Sequence, residues 1–166
     1  MLKGKIFETS LGWVGVVAGE RGIKAVTLPV PSREEAEEAL KKRVGGDWEV
    51  EPNFLGEVEE GIRAYLSGKT VQLDYPLDTE GLTPFQKEVL ALLKGVPYGR
   101  TVTYRWLAEQ VGRARASRAV GQVMAQNPFP LLVPCHRVLR SDGSLGGFGG
   151  GLDLKKRLLK LEGVAV

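Results

Sequence analysis

The chain's only cysteine, Cys135, is followed directly by its only histidine, His136. A cysteine reacts as a nucleophile through its thiolate, and an adjacent base or cation is the usual means of forming one. Pro134 precedes the pair and Arg137 follows it. We therefore interpret the run from Val133 to Val138 as a reactive centre. The alternative is a structural thiol, because cysteine often packs as a small, buried apolar side chain.

A carboxylate near the end of the chain could complete a relay with this pair. Glu162 follows the predicted helix Leu152–Leu161 and precedes Gly163. The helix macrodipole disfavours a negative charge at this end by about 0.3–1 kcal/mol, so a partner must hold the carboxylate there. We expect that partner to be His136, in a Cys–His–Glu arrangement of triad type. The alternative is a frayed surface glutamate.

Two short predicted helices, Tyr104–Val111 and Ser117–Gln126, are separated by a basic turn that contains Gly112. This is the spacing of a helix-turn-helix. The second helix begins with one arginine, Arg118, among small residues, namely Ser117, Ala119 and Gly121. Such a face can approach a minor groove that is only about 6 Å wide and insert one long cation. The alternative is that the small residues pack on a neighbouring helix.

The segment between this helix and Cys135 is predicted to be extended, since residues before Pro128 and Pro130 avoid the helical region. Leu131–Val133 then predicts a buried strand that leads to the reactive pair. If Cys135 and His136 both belong to that extended chain, their side chains point to opposite faces. A water molecule or a local bend must then connect the imidazole to the sulfur.

Five of the six residues 146–151 are glycine, so their backbone N–H groups can approach a ligand closely. The Gly-Lys-Ser/Thr ending of a phosphate-binding loop is missing, and a flexible loop is the alternative. The predicted helix that follows carries four basic residues, which we expect on its outer face: Lys155, Lys156, Arg157 and Lys160.

The front half has no comparable chemistry. Its strand-like segments, Lys5–Thr9, Trp13–Ala18 and Ile23–Leu28, predict an antiparallel meander with glycine turns. Predicted helices follow at Arg33–Arg43, where Ser32 and Glu35 form a capping box, and at Phe54–Leu66. A Pro- and Gly-containing stretch near residues 75–82 is typical of a linker. We therefore expect an α/β domain at 1–78 and a mostly helical domain at 79–166, which begins with a helix at Thr83-Pro84.

The 166 residues carry a net charge of +3 that is unevenly distributed. Residues 1–83 contain 10 basic and 15 acidic side chains, and residues 84–166 contain 13 and 5. A basic second half suggests a polyanionic partner, although a solvated basic face would look the same. One cysteine excludes an internal disulfide, fits the cytoplasm and makes a structural zinc site unexpected. No stretch is long and apolar enough to predict a membrane span.

These features together resemble one family. Residues 127–138, from Asn127 through the Pro-Cys-His-Arg-Val core, are similar to the active-site signature of the O6-alkylguanine-DNA alkyltransferases, or methylated-DNA–protein-cysteine methyltransferases. Ser117–Gly121 resembles their recognition helix, and the resemblance covers essentially all of residues 83–163. It implies a small N-terminal α/β domain with an antiparallel, ribonuclease-H-like sheet. A mostly helical, winged helix-turn-helix domain would follow it.

The resemblance implies a DNA repair enzyme that transfers an alkyl group, typically methyl, from guanine O6 to Cys135. His136 would deprotonate the thiol through a water, Glu162 would orient His136, and Asn127 would brace the turn between helix and active site. A thioether is a poor leaving group, so the transfer would be irreversible and single-turnover. The flipped base would be reached from a minor-groove-bound helix-turn-helix.

The resemblance also implies how DNA is held. Arg118 would enter the stack where the damaged base leaves, and Tyr104 would push the neighbouring phosphate and donate to the guanine. Further DNA contacts are implied for Thr103, Arg105, Arg113, Ser117, Ala119, Gly121 and Ser141. The base pocket would be lined by Tyr104, Met124, Val138, Phe148, Gly149 and the carbonyl of Cys135. Many relatives carry hydroxyl-bearing residues at the positions of Phe148 and Gly149.

The expected partner is double-stranded DNA carrying O6-alkylguanine, with O4-alkylthymine as a further lesion to consider. No cofactor, metal, membrane or obligate protein partner is expected. The sequence leaves three alternative functions open. A noncatalytic lesion-binding relative would lack Cys135, a plain helix-turn-helix regulator would not need the Cys–His–Glu set, and a cysteine hydrolase would turn over.

Overall fold

The computed structural model describes residues 1–53, 55–113 and 115–166. The chain divides into two compact units. The first contains residues 1–80 together with 128–132, and the second contains residues 81–127 and 133–166. Within these described residues, every helix is too short or too polar to cross a membrane.

The first unit is built on a four-stranded sheet in the order β3-β2-β1-β4. Strands β1 (Leu2–Thr9), β2 (Gly12–Gly19) and β3 (Gly22–Val26) form the predicted antiparallel meander. Strand β4 (Trp48–Val50) pairs parallel to β1, so the expectation of an antiparallel sheet is wrong at this edge. A three-residue strand has too short a pattern to be recognised, and its direction follows from the helix that precedes it.

Two helices complete the first unit, α1 (Arg33–Val44) and α2 (Gly56–Leu66). Ser32 caps α1 by accepting a hydrogen bond from the Glu35 N–H at 3.1 Å. Its hydroxyl also donates to the Glu35 carboxylate at 2.9 Å. This bond takes the place of the second bond of the predicted capping box, in which the Glu35 carboxylate would accept from the Ser32 backbone N–H. Helix α1 buries Leu40 against the sheet. Phe54, where the second helix was predicted to begin, lies outside the described residues.

The second unit contains helices α3 (Pro84–Lys94), α4 (Tyr104–Gln110), α5 (Ser117–Ala125) and α6 (Leu152–Leu161). A parallel pair of two-residue strands, β5 (Val102–Thr103) and β6 (Val138–Leu139), brings the start of α4 beside the chain that follows Cys135. Thr83 and Gln86 form a complete capping box at α3. The Thr103 hydroxyl caps α4 by accepting from the Trp106 N–H at 3.0 Å.

The predicted strand at Leu131–Val133 is wrong. These residues are buried but form turns and a bend, and Leu131 has a φ of 73°. A short apolar run fits any buried segment, so periodicity alone could not tell a strand from a buried turn. Cys135–Arg137 forms one turn of 3-10 helix, so the pair is not part of an extended chain, and the local bend that the sequence analysis allowed for is present.

Candidate active site

The reactive pair lies in the 3-10 turn, where consecutive side chains are separated by about 120° rather than pointing to opposite faces. The Val133 carbonyl helps to set this turn by accepting from the Cys135 N–H at 2.8 Å. The Asn127 side-chain amide donates to the same carbonyl at 3.0 Å. Asn127, buried just after the end of α5, therefore ties that end of the helix to the turn that carries Cys135.

His136 and Glu162 are in direct contact, as the sequence predicts. The distance from His136 Nε2 to Glu162 Oε2 is 2.6 Å, and the two side chains are 1% and 0% exposed. Glu162 Oε1 also accepts from the Gly99 N–H at 2.9 Å. Glu162 is thus fixed from two directions and is not a frayed surface residue.

Arg137 supplies the charge that balances this buried carboxylate. Its Nε donates to Glu162 Oε1 at 2.8 Å, and its Nη2 donates to Glu162 Oε2 at 3.0 Å. Its Nη1 donates to the Val96 carbonyl at 2.8 Å. A two-point bond of this kind fixes both the position and the negative charge of the acceptor. The fork explains how a carboxylate is tolerated at the C-terminal end of α6.

The imidazole of His136 is held in its neutral form. Burial lowers the pKa of His136, and the nearby Glu162 opposes this shift without reversing it. An ionised carboxylate can only accept hydrogen bonds, so Nε2 carries the ring proton and Nδ1 carries the lone pair. The turn therefore presents a neutral imidazole with a basic nitrogen, which can take a proton from a neighbouring acid such as a thiol.

Cys135 lines a cavity of about 700 Å³ in the second unit. The structure brings ten of the sequence-predicted site residues into the lining of this cavity: Tyr104, Arg105, Ser117, Arg118, Gly121, Met124, Cys135, Ser141, Phe148 and Gly149. The predicted recognition helix α5 therefore contributes five of its residues, the fifth being Ala125, to the same cavity as the thiol. A cavity of this volume is within the range that accommodates a small ligand such as a purine base.

Other predicted DNA or base contacts lie elsewhere in the described chain. Thr103 caps α4, and the Arg113 guanidinium lies 5.0 Å from the centre of the Phe85 ring. The Val138 carbonyl, expected to face the base, accepts from Lys155 Nζ at 2.6 Å. Ala119 lies outside the described lining of the cavity.

Tyr104 forms part of the cavity wall together with the glycine-rich loop. Its hydroxyl donates to the Gly147 carbonyl at 3.4 Å. Burial raises the pKa of Tyr104, so its phenol keeps its proton at neutral pH. Gly146 has a φ of 71°, which favours glycine, and a Cβ there would lie 3.1 Å from the Tyr104 ring. Glycine at this position therefore allows the loop backbone to lie close to the Tyr104 ring.

Sequence reasoning missed three residues that matter to the geometry. Arg137 was noted as basic, but its bond to Glu162 was not anticipated, although a buried glutamate demands a cation. Arg140 also lines the cavity. Lys155, predicted on the outer face of α6, is fully buried. The correction follows from helical geometry, because Lys155 shares the inward stripe with Leu158 and Leu159, which are also fully buried.

The described residues contain no cluster of three or more histidine, cysteine or acidic side chains able to hold a metal ion. The chemistry that the described side chains offer at this site is that of a nucleophilic thiol beside a neutral imidazole. That imidazole is oriented by a charge-balanced carboxylate, and the thiol faces a cavity lined by three arginines, Arg105, Arg118 and Arg140. Such a site is suited to attack by sulfur on an electrophile carried by an anionic ligand.

Comparisons with known proteins agree with this chemistry. Residues 84–164 match the family model of the 6-O-methylguanine DNA methyltransferase DNA-binding domain. A methylated-DNA–protein-cysteine methyltransferase from Methanosarcina acetivorans is 39% identical over 158 residues, which cover 95% of this chain and 96% of that protein.

Solved structures give the same result for the fold. The Mycobacterium tuberculosis O6-methylguanine methyltransferase superposes with a TM-score of 0.80 at 31% identity, covering 98% of this chain and 93% of that one. The M. tuberculosis protein OGT in complex with DNA gives a TM-score of 0.81 at 31% identity, covering 96% and 92%. On this evidence, the chain belongs to the methylated-DNA–protein-cysteine methyltransferase family.

Proposed function

We propose that this protein repairs duplex DNA by moving an alkyl group from O6 of guanine to Sγ of Cys135. One observation carries the proposal: Cys135 lines a base-sized cavity and is adjacent in the chain to the buried His136–Glu162–Arg137 cluster. The names of the relatives, which describe methylated DNA as substrate and cysteine as acceptor, support the same reaction. O4-alkylthymine is a second lesion to test.

The proposed transfer is a single displacement in which atoms and electrons balance. The Cys135 proton moves to Nδ1 of His136, directly or through one water, and Glu162 stabilises the imidazolium that forms. The thiolate then attacks the alkyl carbon, a sulfur–carbon bond forms, and the electron pair of the carbon–O6 bond passes to the purine. The purine recovers a proton, for which Tyr104 is the proposed donor, and normal guanine results. Tyr104 regains a proton from solvent and His136 releases to solvent the one it took, so both groups return to their neutral forms.

The reaction is proposed to be single-turnover because a thioether sulfur does not leave readily and Cys135 is the only cysteine in the chain. No step requires a metal or an organic cofactor. The noncatalytic lesion-binding alternative is not favoured, because this chain keeps the cysteine and provides a base beside it. The cysteine hydrolase alternative is not favoured either. A hydrolase forms an acylated cysteine that water can cleave, whereas water does not cleave the thioether of an alkylated cysteine.

DNA is proposed to bind along α4 and α5, with α5 in the minor groove. Ser117, Arg118 and Gly121 line the same cavity as Cys135, so a base turned out of the duplex would reach the thiol from this helix. Arg118 would occupy the gap that the base leaves in the stack. The ribonuclease-H-like and winged helix-turn-helix descriptions of the two domains stay predictions of the resemblance.

The test is a titration of a lesion-bearing duplex with the protein. A duplex that contains one O6-methylguanine is held in excess, and restored guanine is counted as protein is added. The proposal predicts one guanine restored for each active protein molecule and none with Cys135→Ala, which should still bind DNA. Continued turnover would contradict the stoichiometric mechanism, and restoration by Cys135→Ala would contradict the role of the cysteine.

A further inference from the structure

Arg140, which directly follows β6, is a cation in the cavity wall that takes no part in the proposed transfer steps. A tight turn fixes its backbone: the Arg140 N–H donates to the Ser144 carbonyl, and the Gly143 N–H donates to the Arg140 carbonyl, both at 2.9 Å. The side chain itself is exposed and lines the same cavity as Tyr104 and Cys135. The turn therefore holds a positive side chain at the edge of the cavity.

The phenol of Tyr104 lies close to this side chain. The position of a Cβ at Gly146 is 3.3 Å from the Tyr104 hydroxyl oxygen and 3.4 Å from Arg140 Cγ, so the two side chains meet around one point of the glycine-rich loop. The Tyr104 hydroxyl is held there, since it donates to the Gly147 carbonyl at 3.4 Å. The guanidinium and the phenol are therefore neighbours in the cavity wall.

Tyr104 is the proposed proton donor, but its surroundings make it a weak acid. Burial is the main cause that raises the pKa of Tyr104, a negative charge on Cys135 raises it further, and the charge of Arg140 opposes both. A general acid is effective only if its conjugate base is stabilised as the proton leaves. A nearby cation is the group that can stabilise a phenolate at this place.

Other charged groups surround the phenol, and each is already engaged. Lys155 of α6 has Nζ 5.9 Å from the centre of the Tyr104 ring, but its ammonium donates to three backbone carbonyls. Asp142 interacts with the charge of Arg140, but its carboxylate accepts from the Ser144 N–H at 2.9 Å and from the Ser144 hydroxyl at 2.7 Å. Two further arginines line the cavity and are expected to contact DNA, namely Arg105 and Arg118. Arg140 is therefore the cation best placed to respond to a charge on the Tyr104 oxygen.

We propose that Arg140 is a positioning residue for the proton transfer, because its guanidinium stabilises the phenolate that Tyr104 becomes when it gives its proton to the departing guanine. This inference rests on the proposed function, since it assigns a role within that reaction. As the thiolate becomes a thioether, the negative charge leaves Cys135 and passes through the purine to the Tyr104 oxygen. The charge that disfavoured the phenolate thus disappears as the proton is needed. Arg140 keeps its own protons throughout, and the phenolate regains a proton from solvent.

The first test follows the phenol of Tyr104 without DNA or lesion, so its outcome is separate from that of the repair assay. The protein is labelled with carbon-13 at Cζ of its four tyrosines, and the signal of Tyr104 is identified by its loss in Tyr104→Phe. The pH titration of this signal is compared in the unmodified chain, Arg140→Met, Arg140→Lys and Arg157→Met. Methionine keeps an unbranched stem without the charge, lysine keeps a positive charge, and Arg157 is an exposed arginine of α6 that serves as the control.

We expect Arg140→Met to move the titration of Tyr104 to higher pH by about one pH unit, at the low end of the range for a nearby opposite charge because Arg140 is exposed. Arg140→Lys should stay close to the unmodified chain, and Arg157→Met should match it. A titration of Tyr104 in Arg140→Met that coincides with that of the unmodified chain would overturn the inference, even if the protein repairs O6-methylguanine.

The second test measures alkyl transfer from the free base O6-benzylguanine to Cys135 by intact mass, because a free base has no phosphate that Arg140 could bind. A proton that is about half transferred in the transition state feels about half of the change in acidity, so we expect Arg140→Met to react about threefold more slowly. The same substitution in Tyr104→Phe protein should have no further effect, because the phenol is absent. Slowing that persists in the Tyr104→Phe protein would contradict a role through Tyr104. Slowing that appears only with a duplex lesion would also contradict it and would make Arg140 a phosphate contact.

Discussion

The substitution Glu162→Gln tests the buried cluster behind Cys135 most severely, because it removes one charge and almost no volume. The carboxylate accepts from His136 Nε2, from two nitrogens of Arg137 and from the Gly99 N–H. A glutamine offers one acceptor oxygen and two N–H donors, so at least one donor of Arg137 or His136 would face another donor. The Arg137 charge would also remain buried without its counter-ion, since its side chain is 11% exposed.

Breaking a buried ion pair by removing one partner costs about 3–5 kcal/mol. In a chain of this length each kcal/mol lowers the melting temperature by about 2–4 °C, so we expect a fall of about 10 °C. The same change removes the group that stabilises protonated His136, and loss of general base catalysis lowers rates by about 10²–10⁴-fold. Melting followed by circular dichroism and single-turnover repair of an O6-methylguanine duplex measure the two effects.

Glu109→Gln is the matched control, because Glu109 is exposed on α4 and its loss should change stability by less than about 0.5 kcal/mol. A Glu162→Gln protein that melts within 2–3 °C of the control would refute the reasoning on the ion pair. A protein that is destabilised as expected but repairs at the unmodified rate would refute the relay through His136.

Three further predictions concern other parts of the site. Arg118→Ala should slow repair of a duplex lesion at least tenfold more than reaction with the free O6-alkylguanine base, and equal slowing in the two assays would exclude a role in the stack. Gly99→Ala should lower the free energy of unfolding in urea by about 1–2 kcal/mol, because Gly99 has a φ of 78° and the alanine Cβ would lie 3.3 Å from the Glu162 carbonyl. An unchanged urea midpoint would contradict this and show that the turn relaxes around the added methyl group. Burial lowers the pKa of His136, so as the pH falls the unfolded chain takes up this proton before the folded chain does. The free energy of unfolding should therefore be constant, as far as His136 is concerned, above about pH 6.5 and should fall as the pH drops from there toward 5. Urea unfolding at pH 7.5 and pH 5 checks this, and a His136→Asn protein should show a smaller fall.

The sequence was most informative where the chemistry depends on neighbours in the chain or on helix ends. The sequence placed His136 beside Cys135 and Glu162 at an unfavourable position, the C-terminus of a helix. This was enough to predict the contact between His136 and Glu162, which the structure confirms at 2.6 Å. The caps at Thr83 and Thr103 were predictable for the same reason, since a cap is set by residues three apart. These are local rules that need no knowledge of the tertiary fold.

Predictions failed where the tertiary structure decides. Leu131–Val133 is buried as a strand would be, but its turns depend on contacts distant in sequence, including the bond from Asn127 to Val133. Lys155 was assigned to solvent because lysine normally is, and its three acceptors come from a strand and a loop whose positions the sequence does not give. Strand β4 pairs with β1 across more than 40 residues, and three residues carry too little pattern to predict such a pairing.

The most direct test of the central claim is the intact mass of the protein after incubation with a duplex that contains one O6-methylguanine, followed by peptide mapping. The account predicts a gain of one methyl group, about 14 Da, on the peptide that contains Cys135, which saturates at one per protein. An unmodified mass together with lesion-selective binding, or a methyl group on any other residue, would contradict Cys135 as the acceptor.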